Sequence, residues 1–438
     1  MSAKLISIYQ IFLALLLAIA GPFLLFKKKA RAGLNQKFGF IPEAIKSRSA
    51  QLEGAIWIHA VSVGEFNAAL PLIRKLKQEQ PDKPLVVSTA TRTGQAQAKE
   101  KASEFAEIIY FPFDLPFCYK PWLDALKPEC VVIIETELWP GFVMECHRRN
   151  IAVLSVNARM SPNSFTWYKR FKYFFEPVLK VFTRVGVQNA SEFERFTALG
   201  STPGKTEILG NIKLDGMVSM PDSEKSKLEK ELNISVTDFV IVAGSTHEGE
   251  EDALLNILAD LKKVENTDKP IKMIIVPRHP ERFERANEII EQHGFTPKRF
   301  SKQEFFEGDN DIYLLDALGQ LTRFYSIASL AFVGGTIAKI GGHSLAEPYA
   351  NSVPVFCGPH IQKTKDIARQ LTECDALIMA DNLDELKERV REVYINREKG
   401  EKIGLNGSSW LKDNQGAVDR AFKMIDSVLK KESVMTGP

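Results

Sequence analysis

The feature that most limits how this chain can fold is a succession of short, uninterrupted apolar runs. Each is closed by small or charged residues and followed by a stretch with helical spacing. The first series lies at 55–58, 85–88, 108–111, 131–134, 152–156 and 185–187. A second series follows at 239–243, 271–276, 312–315, 330–333, 353–356 and 376–379. Strands that read as continuous apolar runs, without polar alternation, are those covered by helices on both faces, and these belong to parallel sheets. Between the two series, Gly216-Met217-Val218-Ser219-Met220-Pro221-Asp222-Ser223 reads as a linker before a charged helix. The expected fold is therefore α/β, with two doubly wound Rossmann-like domains facing a cleft. At 438 residues the chain exceeds one ordinary core. The expected division is 1–30, 31–216 and 217–405, with 406–438 as a C-terminal helix packing back toward the N-terminal domain.

Composition narrows the function classes. Hydrophobic residues at 45% and charged residues at 26% are ordinary for a folded protein, and the net charge of +2 makes no case for nucleic acid. The five cysteines are scattered without a CxxC pair, which argues against a disulfide framework or a zinc site and fits a reducing compartment. Leu5 to Phe26 holds no charged residue, long enough for a membrane-anchor helix, with Gly21-Pro22 as a point of kinking. Lys27, Lys28, Lys29, Arg31 and Lys37 follow it, which places the rest of the chain in the cytoplasm. A cleaved signal peptide fits less well, because its basic cluster should lead the apolar run. A helix lying in the interface is a further reading.

Candidate chemistry sits at the ends of the apolar runs, where open α/β sheets bind ligands. His59-Ala60-Val61-Ser62-Val63-Gly64-Glu65 leads from the first run into a helix. Glu65 is the carboxylate of this turn: partial burial would raise its pKa toward that of a useful base, while its bland role is to favour a helix start. Glu135-Thr136-Glu137-Leu138-Trp139-Pro140 follows the run at 131–134. Glu135 and Glu137 share one side if the extended geometry persists. After 152–156 comes Asn157-Ala158-Arg159, whose guanidinium fork suits an anion. The stretch 165–175 (FTWYKRFKYFF) interleaves basic and aromatic residues and reads equally as an amphipathic helix or as a surface for anionic headgroups.

In the second series the strand-end loops are richer in glycine and histidine. Gly244 to Glu251 (GSTHEGEE) opens a helix with N–H groups suited to an anion, and Pro277-Arg278-His279-Pro280 adds a cationic fork. Gly334-Gly335-Thr336 and Gly341-Gly342-His343-Ser344 lead to Leu345-Ala346-Glu347-Pro348. Together these loops point to a nucleotide-linked donor. His59, His247, His279, His343 and His360 lie near strand ends without HxxxH or HExxH spacing, so neutral hydrogen-bonding imidazoles near phosphate are expected, with no metal and no other cofactor.

Taken together, HAVSVGE, TELWP, NARMS, GNIKLD (Gly210–Asp215), GSTHEGEE, VPRHPER, GGHSLAEP and GPH (Gly358–His360) resemble the 3-deoxy-D-manno-octulosonic acid (Kdo) transferase family. The match runs in order from about Arg31 to about Gln362. The resemblance implies a GT-B fold anchored on the cytoplasmic face of the inner membrane. It also implies transfer of Kdo from CMP-Kdo to the 6′-hydroxyl of a lipid A precursor (lipid IVA). It makes Glu65 the general base and Glu137 a second essential acid, with Ser62 and Arg159 toward the acceptor. Donor contacts would fall on Pro277, Arg278 and His279, on Leu318, Gly319 and Gln320, and on Ser344, Leu345, Ala346 and Glu347. Two departures stand out: Ser344 replaces the family's usual asparagine, and Ser88 to Gly94 is looser than the family's threonine run. Two other classes share part of this pattern, a membrane transferase using a UDP-sugar and a polyprenyl acceptor, and a non-catalytic lipid binder.

Overall fold

The apolar runs become strands of two parallel sheets. The computed structural model describes residues 3–26, 31–264, 270–307 and 311–435, the side chains of residues 3, 20–26 and 431–435 excepted. The first sheet contains β1 (Ile56–His59), β2 (Leu85–Thr89), β3 (Glu107–Tyr110), β4 (Cys130–Ile134), β5 (Ala152–Ala158), β6 (Arg184–Val187) and β7 (Thr206–Ile208), in the order β3-β2-β1-β4-β5-β6-β7. Every residue of β1, β2, β4 and β5 is buried, as the unbroken apolar runs require. Alternate side chains feed opposite faces: Ile56 and Ile58 enter one core, Trp57 the other.

The second sheet contains β8 (Phe239–Thr246), β9 (Ile271–Pro277), β10 (Lys298–Arg299), β11 (Ile312–Leu314), β12 (Leu330–Val333), β13 (Val355–Cys357) and β14 (Leu377–Met379), in the order β10-β11-β9-β8-β12-β13-β14. Strand order reverses between β1 and β4 in one sheet and between β8 and β12 in the other. At such a switch point the connections leave in opposite directions and open a crevice at the carboxyl ends. The short edge strands β7 and β10 escape the sequence pattern, because their residues are polar or partly exposed.

The chain divides into Met1–Gly216 with Gln415–Pro438, and Met217–Asn414. The single C-terminal helix expected within 406–438 is two helices, Arg397–Asn414 and Ala417–Met435. The break falls at Gly416, whose φ of +88° suits glycine. The expected boundary after residue 405 therefore falls inside a helix, and the division comes at Asn414. Past it, Ala417, Ala421, Met424, Ile425 and Leu429 join the core of the first sheet. Asp215 caps this last helix, accepting from Val418 N–H at 2.7 Å and Ala417 N–H at 3.3 Å.

The N-terminal helix, Ala3–Phe26, is held to the first unit by polar contacts. Gln10 Nε2 donates to Tyr119 Oη at 3.1 Å, and Tyr9 packs its ring 5.7 Å from Phe174. The Tyr9 hydroxyl also hydrogen-bonds Asp114, a buried carboxylate that accepts from Gly141 N–H (2.9 Å) and Phe142 N–H (2.6 Å). Burial pushes Asp114 up to about 6. Ile8, Ile11, Phe12, Leu15, Leu16 and Ile19 are exposed on this helix. The expected spanning anchor is not supported: among the described residues no helix is long and apolar enough to cross a membrane. The described apolar side chains run from Leu5 to Ile19, about 22 Å at 1.5 Å per residue, against a hydrocarbon core of about 30 Å. Lys27, Lys28 and Lys29 lie outside the described residues, as do the side chains of Gly21-Pro22.

Candidate active site

In the first unit, β1 runs out into Ala60-Val61-Ser62 before the helix Val63–Glu79. Ser62 is the N-cap, its Oγ accepting from Glu65 N–H at 3.4 Å. Glu65 reaches back in return: Oε1 accepts from the Ser62 hydroxyl (3.0 Å) and Oε2 from Val61 N–H (2.8 Å). This reciprocal arrangement is a capping box, so the helix-start role is realised. The carboxylate nevertheless stays half-buried. Desolvation raises its pKa, the Val61 and Ser62 donors hold it down, and the charges of Glu135 and Lys213 pull in opposite directions. Ser62 is committed to Glu65 and to the helix end, which makes it a positioner of the carboxylate.

Across the switch point, β4 ends at Ile134, and the φ of +61° at Glu135 breaks the extended run. The i, i+2 geometry expected of Glu135 and Glu137 therefore does not persist. Glu135 turns to two cations, Lys213 Nζ at 2.6 Å and Arg159 Nε at 3.3 Å. Arg159 is thus anchored on Glu135 while its side chain stays half exposed. Thr136 laces this loop to the next, its Oγ1 bonding both the carbonyl and the N–H of Arg159. Glu137 has no hydrogen-bond partner among the described residues. Burial first, then the charges of Glu65 and Glu135, push it up to about 7. The switch point thus holds three neighbouring carboxylates, two of them with raised pKa values. Lys213 completes the group. It lay inside the GNIKLD motif but carried no role, because nothing in the sequence places it beside Glu135.

His59 does not face a ligand. It is fully buried, stacks on Phe111 at 3.8 Å and hydrogen-bonds Ser88, and desolvation holds it neutral, down to about 3. The basic-aromatic stretch forms two helices, Pro162–Arg170 and Lys172–Val181. Phe165 and Tyr168 pack against the core, while Trp167, Phe171 and Tyr173 stay exposed.

In the second unit, β8 and β12 approach so closely that a Cβ on Gly334 would lie 2.0 Å from the Ser245 carbonyl oxygen. The amides expected to greet an anion are already occupied. The buried Glu250 carboxylate accepts from the N–H groups of His247 (2.9 Å), Gly335 (2.8 Å), Thr336 (3.0 Å), Ile337 (2.9 Å) and Ala338 (3.0 Å). Gly341 and Gly342 turn their N–H groups onto the Gly335 carbonyl, and His343 turns its own onto Gly334. In the same loop the Ser344 and Leu345 amides have no partner among the described residues.

The side chains gather as expected in part. Arg278 is exposed at the end of β9 without a partner among the described residues, beside Pro277 and the exposed His279. Arg278 exerts its charge on His247, His343 and Glu347 alike, so these groups share one neighbourhood. Glu347 accepts a hydrogen bond from the Ser344 side chain, and burial raises its pKa. Leu345 and Ala346 are buried and support the turn. Leu318, Gly319 and Gln320 stand at the end of the adjacent strand β11, with Leu318 exposed. Arg282, by contrast, is consumed by Glu251 and Glu248. Among the described residues no group of three or more His, Cys, Asp or Glu is placed to hold a metal ion.

Two parallel α/β units, each with polar loops at its switch point, define the architecture of the GT-B glycosyltransferases. Solved structures of this kind include a glycosyltransferase from Rickettsia africae (TM-score 0.57, 14% identity, 86% of this chain and 99% of that one). A UDP-GlcNAc 2-epimerase from Neisseria meningitidis is another (TM-score 0.58, 12% identity, 86% and 100%). At such identities the likeness shows the fold alone. Residues 32–216 match the family described as 3-deoxy-D-manno-octulosonic-acid transferase (kdotransferase). The chain is 32% identical over 404 residues to a 3-deoxy-D-manno-octulosonic acid transferase of Haemophilus influenzae, covering 92% of each. It is 31% identical over 382 residues to one of Rickettsia typhi, covering 86% of this chain and 80% of that one. The chain belongs to the 3-deoxy-D-manno-octulosonic acid transferase family.

Proposed function

We propose that this enzyme moves Kdo from CMP-Kdo to the 6′-hydroxyl of a lipid A precursor, lipid IVA, releasing CMP in lipopolysaccharide synthesis. The observation that carries the reading is Glu65: a half-buried carboxylate with raised pKa, fixed by Val61 and Ser62 at a switch point beside Glu137. In this mechanism Glu65 takes the proton of the acceptor hydroxyl as that oxygen forms a bond to the anomeric carbon of Kdo. The bond from that carbon to the phosphate oxygen breaks, and CMP leaves with the electron pair. Arg278, unpaired at the end of β9, meets the departing phosphate, with the Ser344 and Leu345 amides beside it. Glu137, near neutrality in its own titration, keeps a protonatable group next to Glu65. Arg159, half exposed beside Glu135, offers positive charge to acidic groups of the acceptor, while Lys213 stays with Glu135.

The same reading places the enzyme at the cytoplasmic face of the inner membrane, with the N-terminal helix as its anchor. The exposed apolar residues from Ile8 to Ile19, with Trp167, Phe171 and Tyr173, support a surface that meets lipid. Incubating purified protein with CMP-Kdo and lipid IVA and weighing the product by mass spectrometry tests the reading. A mass gain of one or more Kdo units is the expected result, and competition of CMP against UDP separates it from a UDP-sugar transferase. Partition of the protein to vesicles, lost on removal of residues 1–30, tests the location.

A further inference from the structure

At the second switch point two imidazoles touch. His247 Nε2 lies 2.8 Å from His343 Nε2, with the rings within 6° of parallel. At that distance one nitrogen carries a proton and the other accepts it, so the neutral pair holds two complementary tautomers. The ring whose Nε2 donates has a bare Nδ1, and the ring whose Nε2 accepts carries Nδ1–H. Neither Nδ1 has a protein partner among the described residues. Between them the two Nδ1 positions therefore offer one donor and one acceptor.

Fixed cations and a third imidazole surround the pair. Arg278 and His279 approach from the loop after β9, and the His279 ring lies 5.6 Å from that of His247. Lys363 approaches from the loop after β13, and Arg282 adds its charge from behind. Burial and these charges hold both imidazoles neutral, His343 down to about 4. The nearby acids are engaged elsewhere: Glu250 is clasped by amides, Glu248 and Glu251 are taken by Arg282, Glu347 bonds Ser344, and Glu281 lies 4.0 Å from His279. The Arg278 and Lys363 side chains have no hydrogen-bond or ion-pair partner among the described residues.

We propose that the His247–His343 pair reads a second negative charge on the donor, a sugar carboxylate beside the phosphate, by taking up one proton as the donor binds. The proton enters at the bare Nδ1. The pair becomes an imidazolium bonded to an imidazole through the existing Nε2 contact, and both Nδ1 positions become N–H donors. A carboxylate only accepts, so it fits the protonated pair, whereas a hydroxyl is satisfied by the neutral pair. The pair thus selects an acidic sugar nucleotide over a neutral one. This rests on the donor reading above and adds proton linkage and the residues that carry it.

The test is isothermal titration of the full-length protein with CMP-Kdo and with the methyl ester of CMP, a phosphodiester of single charge that does not titrate near neutrality, each in two buffers of different ionisation enthalpy near pH 7. Expected is uptake of about one proton with CMP-Kdo and clearly less with the methyl ester, the proton residing on one histidine pair. His343→Gln, which hydrogen-bonds but does not titrate, abolishes the uptake and weakens CMP-Kdo roughly tenfold more than the methyl ester, the measure of one charge-assisted contact. His247→Gln behaves alike. Heats independent of buffer, equal uptake with both ligands, or variants that discriminate as the wild type does would each overturn the proposal. Failure of the wild type to bind either cytidine nucleotide would instead remove the donor reading, and this inference with it.

Discussion

The two switch points put a glutamate in the same place and use it in opposite ways. Glu65 lies in the first turn of the helix after β1, and Glu250 opens the helix after β8. Glu250 is fully buried and its oxygens are saturated by amides from its own turn and from the loop after β12. Glu65 accepts from one amide and one hydroxyl and remains half-buried. What surrounds each completes the contrast. Burial shifts the groups at both sites; around Glu65 and Glu137 neighbouring carboxylates add to the upward shift, and around His247 and His343 cations add to the downward one. A carboxylate saturated by amides is a clasp, and one left with spare lone pairs among its own kind is available for proton transfer.

The sharpest way to break this contrast is to replace each glutamate by glutamine. Glu65→Gln is expected to lower Kdo transfer by roughly a hundred- to ten-thousand-fold, the range for a positioned base. The Ser62 hydroxyl can rotate to accept from the new amide, so thermal unfolding should stay near wild type. Glu250→Gln should do the reverse. Its amide nitrogen would face N–H donors that now point at oxygen, at a cost of about 2–4 kcal/mol for mispaired buried groups. Differential scanning calorimetry and the transfer assay, run on both variants, check the pair. A Glu250→Gln protein of wild-type Tm and no activity would erase the distinction.

A smaller effect follows at the cap. Ser62→Ala removes the N-cap oxygen and one of the donors to Glu65, so stability should fall by about 1 kcal/mol. The Glu65 pKa should climb further, since the hydroxyl favours its charged form. Activity lost at neutral pH should then return on moving to alkaline buffer, which a purely structural defect would not show.

Stability against pH separates the two regions once more. His343 titrates at about 4 in the fold against an ordinary value near 6.5. A depressed pKa means the unfolded chain binds the proton first. The contribution of His343 is therefore present above about pH 6.5 and lost as pH falls toward 4. Asp114 runs the other way. Raised to about 6, it stabilises below its ordinary value and loses that contribution as pH rises through 6. Urea unfolding of wild type and His343→Gln between pH 4 and 7 should converge at the acidic end.

How much of this was legible in the sequence depends on range. The parallel sheets were, because full burial of β1, β4 and β5 demands unbroken apolar runs. Glu65, Glu137 and Arg278 were marked by their place after a run. The occupation of the amides of residues 335–338 was not, because the intruding carboxylate, Glu250, lies far away in sequence and nothing local distinguishes it from Glu251. Lys213 was hidden for the same reason, its partner Glu135 being 78 positions away. The edge strands β7 and β10 and the break at Gly416 were missed where polar or mixed residues gave the pattern no period. Local rules mark strand ends well; they do not say which long-range partner arrives there.

The finest test of the contrast lies in that hidden pair. Lys213 neutralises Glu135 at 2.6 Å and lowers the Glu65 pKa through space, while Glu135 raises it. Lys213→Met keeps the side-chain stem and removes the charge, leaving Glu135 with Arg159 alone. The Glu65 pKa should rise, so at a given acidic pH fewer molecules hold the base ionised. The acidic limb of kcat/KM should shift upward, by up to about one pH unit for loss of one nearby opposite charge. The limb belongs to the coupled carboxylates of the switch point, so its displacement, not a single assigned pKa, is the quantity to measure. The plateau at high pH should be preserved, because the base regains full ionisation there. A plateau that falls while the limb stays put would mean Lys213 acts on the acceptor and not on the acids, and would separate this switch point from its histidine counterpart by ligand contact instead of by field.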